Sequence, residues 1–431
     1  MNNKYFKLYS FFINAIKTCR YSDTWQSLKK CDVLLVRNDV DCAYMHQGMA
    51  YGHLIDTIGE LFDKKGLVVR SVATPYAKLF GNSAFNTPVN LNRATLLIDS
   101  FGIIVRLLKG AMFYTNWVKR YKIRLWGKIL KKANPSFIIA IMPCESLCQA
   151  GKLSNVLVYD LQHGVIADEH WYYGYKTRLD ADVRDLPDCF LCWDIQSKTY
   201  LQKWTQEKGI GINVIGNPWF SRFAFPDRDD QLVNHAINSG KIFNNENPTI
   251  LFTLAWGMRK EYLDVDFNGV MIAEMEKVIL ETCEKYNWLL RLHPIQLLGK
   301  EKKSAISYLN DTFKNMNGIE WEKCSQLPLP VILHQTDIHI TDSSTVTIEA
   351  SWFGIRTGIL NQQISRGGKH ESYYLNERNE GIAEVLLQNK DTIKKWISDR
   401  LSQGRKKQDC FQRNNMLTSF IEEKAVNIGV V

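Results

Sequence analysis

Long hydrophobic runs are scarce in this sequence, although 45% of its 431 residues are hydrophobic. A membrane-spanning helix needs about 20 predominantly apolar residues in succession. The nearest candidate is the segment 96–114, which is interrupted by Asp99, Arg106 and Lys109. The segment that begins at Met1 also lacks the small-residue cleavage pattern of a signal peptide. We therefore expect neither a transmembrane helix nor a signal peptide.

A disulfide framework is also missing, because the ten cysteines follow no regular spacing. Cys189 and Cys192 form a Cys-x-x-Cys pair, but they lie inside an apolar run and not at the start of a helix, where redox motifs occur. We interpret this pair as part of a strand. Reduced thiols are typical of the cytoplasm, so the sequence predicts a cytoplasmic protein.

Common metal and phosphate motifs are absent as well. No cysteines and histidines have the spacing of a zinc site, and there is no Gly-x-x-x-x-Gly-Lys loop. Asp-x-Asp triplets occur, but only Asp39-Val-Asp41 follows a predicted strand. With 45 acidic residues in the chain, triplets of this kind are expected by chance. We therefore predict that the protein needs no metal and no other cofactor.

Acidic residues are absent between Ser100 and Cys144, a stretch that holds nine lysines and arginines. The segment 96–132 has apolar residues at helical spacing and predicts one or two long amphipathic helices. These are either cover helices with solvated basic faces or a surface that binds anionic lipid, and we favour the second interpretation. A nucleic-acid-binding protein is disfavoured because the basic residues alternate with Leu, Ile and Trp, and no base-reading motif is present.

The chain is long enough for two domains, and its 45% hydrophobic and 23% charged residues are those of an ordinary globular protein. The net charge is +9. Apolar runs alternate with helical patterns, which predicts parallel sheets. The predicted strands are 31–37, 67–72, 137–142, 155–161, 189–193, 212–215, 249–254, 288–292, 337–340 and 356–360. We expect a domain at 1–220, a linker at 221–248 and a second domain at 249–431. A helix is predicted near 48–65.

Two strands of the second domain end in polar clusters. The strand 288–292 stops at His293-Pro294, and the strand 337–340 runs into Ser343-Ser344 and a helical pattern. In parallel sheets, ligands bind outside the carboxyl ends of strands, and helix N-termini attract anions. Either serine alone would be interpreted as a helix cap. The combination with His293-Pro294 favours an anion-binding site.

These dipeptides resemble the HP and S/SS motifs of bacterial GT-B glycosyltransferases, which include sialyltransferases and the Kdo transferases of capsule and O-antigen assembly. Those enzymes use CMP-activated sugars, and the related TagF-like transferases use CDP-polyols. The turn Gly216-Asn217-Pro218 resembles the end of the N-terminal domain in such proteins. The resemblance implies two Rossmann-like domains facing across a cleft, with the nucleotide bound by the second and the acceptor by the first.

Several residues of the second domain are candidates for nucleotide binding. Gly257 and Trp256 follow the strand 249–254 and, with His293, Pro294, Ser343 and Ser344, would hold the phosphates. The resemblance implies that Glu349 holds the nucleotide ribose; otherwise it would be a solvated helix acid. Arg291 and Lys369 are further phosphate candidates, although each is equally well explained as a surface charge.

The first domain should supply the catalytic group. His163 lies in the turn that follows the strand 155–161 and precedes Gly164, which allows close approach of a ligand. Histidine suits proton transfer at neutral pH. Glu145, at the end of the neighbouring strand, is the second candidate for the base or for a ligand of the acceptor hydroxyl. Asp160 could orient the imidazole or act as the carboxylate of a retaining mechanism. Inversion and retention both remain open.

The sequence thus predicts a metal-independent glycosyltransferase that uses a nucleotide-activated sugar, with CMP favoured as the nucleotide. Its acceptor would be a glycan or glycolipid of surface polysaccharide or lipopolysaccharide, reached from the inner face of the cell membrane. A TagF-type CDP-polyol phosphotransferase and a GT-B-shaped sugar-nucleotide epimerase remain alternatives.

Overall fold

The computed structural model describes residues 22–42, 44–224, 226–258, 265–297, 299–314, 316–406 and 415–429. The chain divides into two compact units. The first comprises the described parts of Met1–His163, Thr177–Trp219 and Asn414–Val431, and the second those of Gly164–Lys176 and Phe220–Arg413.

The elements that precede residue 240 alternate between strands and helices, as the sequence predicts. The strands are β1 Val33–Arg37, β2 Tyr44–His46, β3 Met49–Tyr51, β4 Val69–Ala73, β5 Phe137–Ala140, β6 Leu157–Leu161, β7 Cys189–Cys192 and β8 Gly211–Val214. The helices are α1 Ile55–Lys64, α2 Asn92–Lys109, α3 Ala111–Ala133, α4 Glu145–Leu153, α5 Tyr175–Arg178, α6 Ile195–Thr205, α7 Pro218–Ala224 and α8 Gln231–Asn238.

Strands and helices continue to alternate over the rest of the chain. The strands are β9 Thr249–Thr253, β10 Phe267–Asn268, β11 Met271–Ile272, β12 Asn287–Arg291, β13 Ile319–Glu320, β14 Ile338–Thr341, β15 Arg356–Ile359 and β16 Ala383–Val385. The helices are α9 Ala273–Thr282, α10 Gly299–Phe313, α11 Glu322–Gln326, α12 Leu329–His334, α13 Val346–Ser351, α14 Leu375–Asn379, α15 Lys390–Gln403 and α16 Asn415–Ile428.

The first unit is built on a six-stranded parallel sheet in the order β4-β1-β5-β6-β7-β8. Strands β1, β5 and β7 are buried at every residue, which is the pattern of a sheet covered on both faces. One face packs against Trp126, Ile129 and Leu130 of α3 and against Leu147 of α4. The apolar runs predicted as strands are therefore confirmed in this unit.

The predicted helix near 48–65 begins only at Ile55. The residues before it form the antiparallel hairpin β2–β3, with Gln47 and Gly48 in the left-handed region at the turn. A glycine at this position favours a tight turn over a helix. The correction matters because the hairpin and the turn after it contribute to the first site described below.

The last helix, α16, belongs to the first unit. Phe420 contacts the rings of Phe62 and Tyr159 at centroid distances of 6.3 and 5.9 Å, and Glu422 pairs with Lys65 at 2.9 Å. The chain thus returns to its first sheet after completing the second unit.

The second unit contains another six-stranded parallel sheet, in the order β13-β12-β9-β14-β15-β16. One face packs against α9 and α15 through Met275, Ile279 and Trp396. On the other side, Val165 and Ala167 of the segment Gly164–Lys176 pack with Ile348, Ile359, Ile364, Tyr374 and Ala383. The segment that follows β6 therefore contributes to the core of the second unit.

The predicted boundaries at 1–220, 221–248 and 249–431 differ from these two units in three places. The segment 221–248 contains α8 and lies within the second unit, Gly164–Lys176 joins that unit from the first half of the chain, and α16 returns to the first unit. Among the described residues, no helix combines the length and apolar character needed to cross a membrane.

Candidate functional site

The carboxyl ends of parallel strands meet at one edge of a sheet, and in the first unit this edge carries a cluster of Asp41, His53 and His163. Asp41 lies in the turn after β1, His53 lies just before α1, and His163 follows β6. We call these three residues the histidine cluster. His163 was predicted as a catalytic residue, whereas His53 and the role of Asp41 were not.

Asp41 is fully buried at the start of α1. Its carboxylate accepts hydrogen bonds from the backbone N–H groups of Leu54, at 3.1 Å, and Ile55, at 3.0 Å. Burial would raise the pKa of Asp41, but His53, His163 and the Ile55 N–H outweigh this and lower it. Asp41 is therefore ionised at neutral pH and stabilises the N-terminus of α1.

Gly52 allows the close approach of the Asp41 carboxylate. A Cβ atom at this position would lie 2.9 Å from Oδ2 of Asp41 and 2.7 Å from Cγ2 of Ile55. Any side chain would push the carboxylate or the start of α1 away. The sequence Gly52-His53 is thus a local requirement of the cluster.

His53 is oriented by the same acid. Its Nδ1 lies 2.7 Å from the backbone oxygen of Asp41 and 2.9 Å from Oδ1 of its carboxylate. Since both partners are acceptors, the hydrogen bonds assign the proton to Nδ1. In the neutral ring, Nε2 then carries a lone pair, and the side chain retains 27% of its solvent exposure. His53 therefore has the geometry of a general base.

The His163 ring lies beside His53, with 6.5 Å between the ring centroids. It hydrogen bonds to the backbone carbonyl of Val40. Burial lowers the pKa of His163, although the nearby Asp41 carboxylate acts in the opposite direction. His163 is accordingly neutral at physiological pH, as a proton acceptor must be.

Aromatic rings surround the cluster on the hairpin side. The Trp219 ring lies 6.1 Å from the His53 ring and 5.8 Å from the rings of both Tyr44 and Tyr51. Trp219 is held by its backbone N–H, which donates to Oδ1 of Asn217 at 3.0 Å. The Gly216-Asn217-Pro218 turn therefore positions an aromatic wall of this site.

A buried ion pair fixes the hairpin and α1 to the end of β1. Nη2 of Arg37 donates to Oδ2 of Asp56 at 2.7 Å and to the carbonyl of Ala50 at 3.0 Å. Burial raises the pKa of Asp56 to about 7, and Arg37 opposes this rise. Sequence reasoning missed this pair because its members are 19 residues apart and carry no motif.

Glu145 and Asp160, the other predicted catalytic residues, make different contacts. Glu145 is 61% exposed and pairs with Lys119 of α3 at 3.1 Å. Asp160 is fully buried, and its Oδ1 accepts from the Met142 N–H at 2.9 Å. This hydrogen bond holds the loop after β5, in which Met142 lies in the left-handed region.

The Asp39-Val-Asp41 triplet bonds to the backbone. Asp39 Oδ2 accepts from the Lys78 N–H at 2.7 Å, while Asp41 serves α1. Among the residues that the structure describes, no group of three or more His, Cys, Asp or Glu residues has a metal-binding arrangement. Metal independence remains a prediction.

The edge of the second sheet brings the predicted nucleotide-binding residues together. Trp256 and Gly257 follow β9, His293 and Pro294 follow β12, and Ser343 and Ser344 follow β14. These strands are neighbours in the order β12-β9-β14. Three groups separated along the chain therefore share one edge, which we call the second-sheet edge.

His293 is held in one tautomer by the turn that follows it. Its Nδ1 accepts from the Ile295 N–H at 3.2 Å, and its own backbone N–H donates to Oε1 of Gln296 at 2.8 Å. Because Nδ1 is an acceptor, the ring proton is on Nε2. The imidazole is thus a hydrogen-bond donor of the kind that binds phosphate.

Neither serine occupies the N-cap position of α13. Thr345 occupies the N-cap position of α13, and Ser344 Oγ accepts from the Val346 N–H at 3.3 Å. The Ser343 hydroxyl bonds to the side chain of Tyr374, whose pKa is raised by burial. The helix begins at Val346, two residues after Ser344. Ser343 is consequently linked to the loop that follows β15.

Glu349 is buried, with 7% exposure, so it is not a solvated helix acid. It lies close enough to Arg291 and Tyr374 to affect both electrostatically. Arg291 donates from Nη1 to the carbonyls of Cys324 and, at 2.9 Å, Leu327. Burial lowers the pKa of Arg291. These contacts make Arg291 a support for the loop around α11 and a poor candidate for a phosphate ligand.

Trp256 and Gly257 form an open turn beside these residues. Gly257 has a φ of +82°, and among the described residues beyond its two chain neighbours no atom lies within 4 Å of the position a Cβ would occupy. The Trp256 side chain is half exposed. A ligand can therefore approach the backbone closely at this turn.

Beneath the second-sheet edge, His339 joins three strands. Its ring nitrogens lie 2.7 Å from Oγ1 of Thr253 and 3.0 Å from Oγ1 of Thr357. Burial lowers the pKa of His339 to about 3, so the ring is neutral. These hydrogen bonds hold β9, β14 and β15 together beneath the second-sheet edge.

Comparisons with known proteins identify the fold. No protein-family model and no curated protein matches the chain. Among solved structures, it is similar to the UDP-GlcNAc 2-epimerase from Methanocaldococcus jannaschii in complex with UDP-GlcNAc and UDP, with 14% identity, coverage of 92% of this chain and 99% of that chain, and a TM-score of 0.56.

Two other solved structures cover almost the whole chain. The UDP-GlcNAc 2-epimerase from Neisseria meningitidis, bound to UDP-GlcNAc, is 13% identical over 91% of this chain and 98% of that chain, with a TM-score of 0.52. The wall teichoic acid polymerase TagF is 10% identical over 97% of this chain and 98% of that chain, with a TM-score of 0.56.

The two parallel sheets and these neighbours define the class of the protein: it has the GT-B fold, with two Rossmann-like units. The predicted fold class is confirmed. At this level of identity the likeness establishes the fold alone. The finer resemblance to sialyltransferases and Kdo transferases remains a prediction.

Proposed function

We propose that the protein is a metal-independent glycosyltransferase that moves a sugar from a nucleotide-activated donor to a surface-polysaccharide or lipopolysaccharide acceptor. The proposal is supported by the GT-B fold and by structural neighbours that bind UDP-GlcNAc or polymerise wall teichoic acid. The reaction needs a group that accepts the proton of the attacking hydroxyl and a surface that holds the nucleotide.

The observation that carries the proposal is the histidine cluster. Nε2 of His53 would accept the proton of the acceptor hydroxyl, and the ionised Asp41 would stabilise the imidazolium that forms. His163, kept neutral by burial, offers a second proton acceptor next to it. A histidine paired with a carboxylate is suited to this chemistry near neutral pH.

The second-sheet edge would bind the donor. The Nε2–H of His293 and the hydroxyls of Ser343 and Ser344 would donate to the phosphate oxygens. Gly257 would let the nucleotide approach the backbone, and Trp256 offers a half-exposed ring beside it. We assign the ribose hydroxyls to Glu349, whose carboxylate is an acceptor.

The nucleotide is tested by a thermal-shift panel of CMP, CDP, UDP, GDP and TDP. A nucleotide that binds only the native state raises the melting temperature. We favour CMP among these. If UDP alone stabilises the protein, the donor assignment changes and the transferase proposal stands. If none of the five stabilises it, the proposed nucleotide site is wrong.

A sugar-nucleotide epimerase is the second candidate, favoured by the structural likeness to UDP-GlcNAc 2-epimerases. An epimerase converts its donor without an acceptor, whereas a transferase consumes the donor only when the acceptor is present. Incubation of the protein with the nucleotide sugar alone, followed by NMR, separates the two. A TagF-type phosphotransferase would instead leave a polyol phosphate on the product.

We further propose that the protein acts at the cytoplasmic face of the cell membrane, where it meets a glycan or glycolipid acceptor and an anionic lipid surface. The support is the nine basic residues without an acid between Ser100 and Cys144. Binding of nucleic acid is not part of this proposal. A filter-binding assay with RNA should therefore detect no salt-sensitive binding.

A further inference from the structure

Helices α2 and α3 form a hairpin whose end is exposed to solvent. The eight residues from Arg106 to Phe113, which surround the turn at Gly110, are all exposed. We call this stretch, Arg-Leu-Leu-Lys-Gly-Ala-Met-Phe, the hairpin tip. The other end of the hairpin is anchored, because Trp126 and Ile129 of α3 lie in the core of the first unit.

The inner faces of the two helices already pack against each other. A Cβ at Gly102 would lie 2.5 Å from Cγ2 of Val118 and 2.9 Å from the Tyr114 ring, so the helices cross in close contact. Lys122 pairs with Asp99 across the same contact at 2.8 Å. The hairpin is thus a packed unit, and its outer apolar residues face away from this contact.

The exposed residues of the tip are strongly apolar. Leu107 is 82% exposed, Leu108 is 77% exposed and Met112 is 73% exposed. The apolar surface continues along the helices through Leu97, Phe101, Ile104 and Phe113, each more than half exposed. Exposed apolar surface of this extent, contiguous in the chain, marks an interaction site.

The charges around the tip have one sign. Arg106 and Lys109 lie within it, and no acid occurs between Ser100 and Cys144. Basic residues further along α3 are partly engaged, because Lys119 bonds to Asp185 at 2.6 Å and Lys122 to Asp99. The positive charge predicted for the segment 96–132 is therefore partly neutralised at these two lysines, and the exposed apolar and basic side chains lie together at the tip.

We propose that the hairpin tip inserts its apolar side chains into the interface of an anionic lipid bilayer, with Arg106 and Lys109 at the headgroups. Apolar side chains beside basic residues are the features of interfacial membrane helices. A second copy of the chain is a poorer occupant, because two tips of the same positive charge would repel. The inference deepens the proposed function and rests on it for the membrane-bound acceptor.

The test measures sedimentation of the full chain with vesicles of phosphatidylcholine and phosphatidylserine. A tip variant combines Leu107→Ser, Leu108→Ser, Met112→Ser and Phe113→Ser. It should bind at least about tenfold more weakly than the native chain, because each apolar side chain withdrawn from water stabilises the bound state. A matched control combines Leu153→Ser and Ile195→Ser, which are 79% and 62% exposed elsewhere in the first unit, and should bind as the native chain does.

Equal loss in the tip variant and the control, or no vesicle binding by the native chain at low salt, would overturn the inference. Concentration-dependent self-association that the tip variant abolishes, without vesicle binding, would identify a second copy as the occupant and also overturn it. Nucleotide binding is measured in parallel by calorimetry. A native chain that binds the nucleotide but not the vesicles contradicts the membrane inference alone. A native chain that binds the vesicles but no nucleotide contradicts the proposed function alone.

Discussion

Nδ1 of His53 lies 2.9 Å from Oδ1 of Asp41, an acid that at the same time binds the first N–H groups of helix α1. One carboxylate therefore sets the position of the helix and the tautomer of the histidine. Any movement of α1 would also move the base. This coupling makes His53 a better defined proton acceptor than a histidine held only by packing.

Replacement of His53 by alanine should reduce the rate of sugar transfer by about 10²- to 10⁴-fold, the usual contribution of a positioned acid–base group. Donor binding should be unchanged, because the proposed nucleotide residues belong to the second unit. Transfer is measured with a saturating donor, and donor affinity by calorimetry. The control is His235→Ala, on the exposed side of α8, which should retain full activity. Normal turnover in a folded His53→Ala protein would refute the assignment.

His163→Ala should also cut transfer strongly, by about 10²- to 10⁴-fold, while donor binding is retained. If the two histidines act as one unit, the double variant His53→Ala/His163→Ala should be about as active as whichever single variant has the lower activity. Multiplicative losses in the double variant would show that the rings act independently. Loss of nucleotide binding instead of turnover would contradict the assignment of His163 to catalysis.

Several residues of the two sheet edges can be predicted from the sequence, but the pairing of His53 with Asp41 cannot. The strand ends at His163, His293 and Ser343 follow from apolar runs that stop at polar residues, and the structure places each at a sheet edge. The sequence did not indicate a role for His53, because its partner Asp41 lies 12 residues away. Asp41 also belongs to an Asp-x-Asp triplet of a kind that occurs by chance. The hairpin β2–β3, which brings them together, interrupts a segment with helical spacing. Contacts set by tertiary packing leave no such local pattern.

Combined replacement of Ser343 and Ser344 by alanine should weaken binding of the nucleotide. Each lost hydrogen bond to a charged phosphate is worth about 1.5–3 kcal/mol. Calorimetry with the nucleotide that stabilises the protein measures the loss, and Ser307→Ala, on the exposed side of α10, is the control. Unchanged affinity would mean that the Ser343 hydroxyl serves only its bond to Tyr374 and the Ser344 hydroxyl only the start of α13.

Two helical glycines should respond to alanine in opposite directions. Gly102→Ala forces a Cβ to within 2.5 Å of Val118 and should destabilise the protein by about 1–3 kcal/mol. Gly127 has open space around it, so Gly127→Ala should stabilise α3 by about 0.5–1 kcal/mol. Urea denaturation measures both. Val118→Ala should partly rescue Gly102→Ala, and equal effects of the two glycine changes would contradict the close helix contact.

His339 should make the protein less stable at low pH. Its pKa is about 3 in the folded state, against about 6.5 in an unfolded chain. Between these values the unfolded state binds the additional proton, so the free energy of unfolding falls as the pH is lowered. The slope is at most about 1.4 kcal/mol per pH unit for one proton.

The variant His339→Gln keeps a donor and an acceptor for Thr253 and Thr357 but does not titrate. Below pH 6.5, its stability should fall less steeply than that of the native chain, as measured by urea denaturation at a series of pH values. Parallel pH profiles for the two proteins would contradict the low pKa of His339.

Treatment with EDTA should leave sugar transfer unchanged. The carboxylates of Asp39 and Asp41 accept backbone hydrogen bonds from Lys78, Leu54 and Ile55, which occupies oxygens that a metal would need. The rate is measured before and after chelation. A loss that Mg²⁺ or Mn²⁺ restores would show that the prediction of metal independence is wrong.

The return of α16 to the first sheet has a consequence for synthesis on the ribosome. Phe420 of α16 packs against Phe62 and Tyr159. Both of these residues are translated more than 250 residues before Phe420. The second unit can complete its core as it emerges, because its residues lie between 164 and 413. The first unit, although begun earlier, can acquire its final packing only after α16 has been translated, which reverses the usual N-terminal-first order of domain folding.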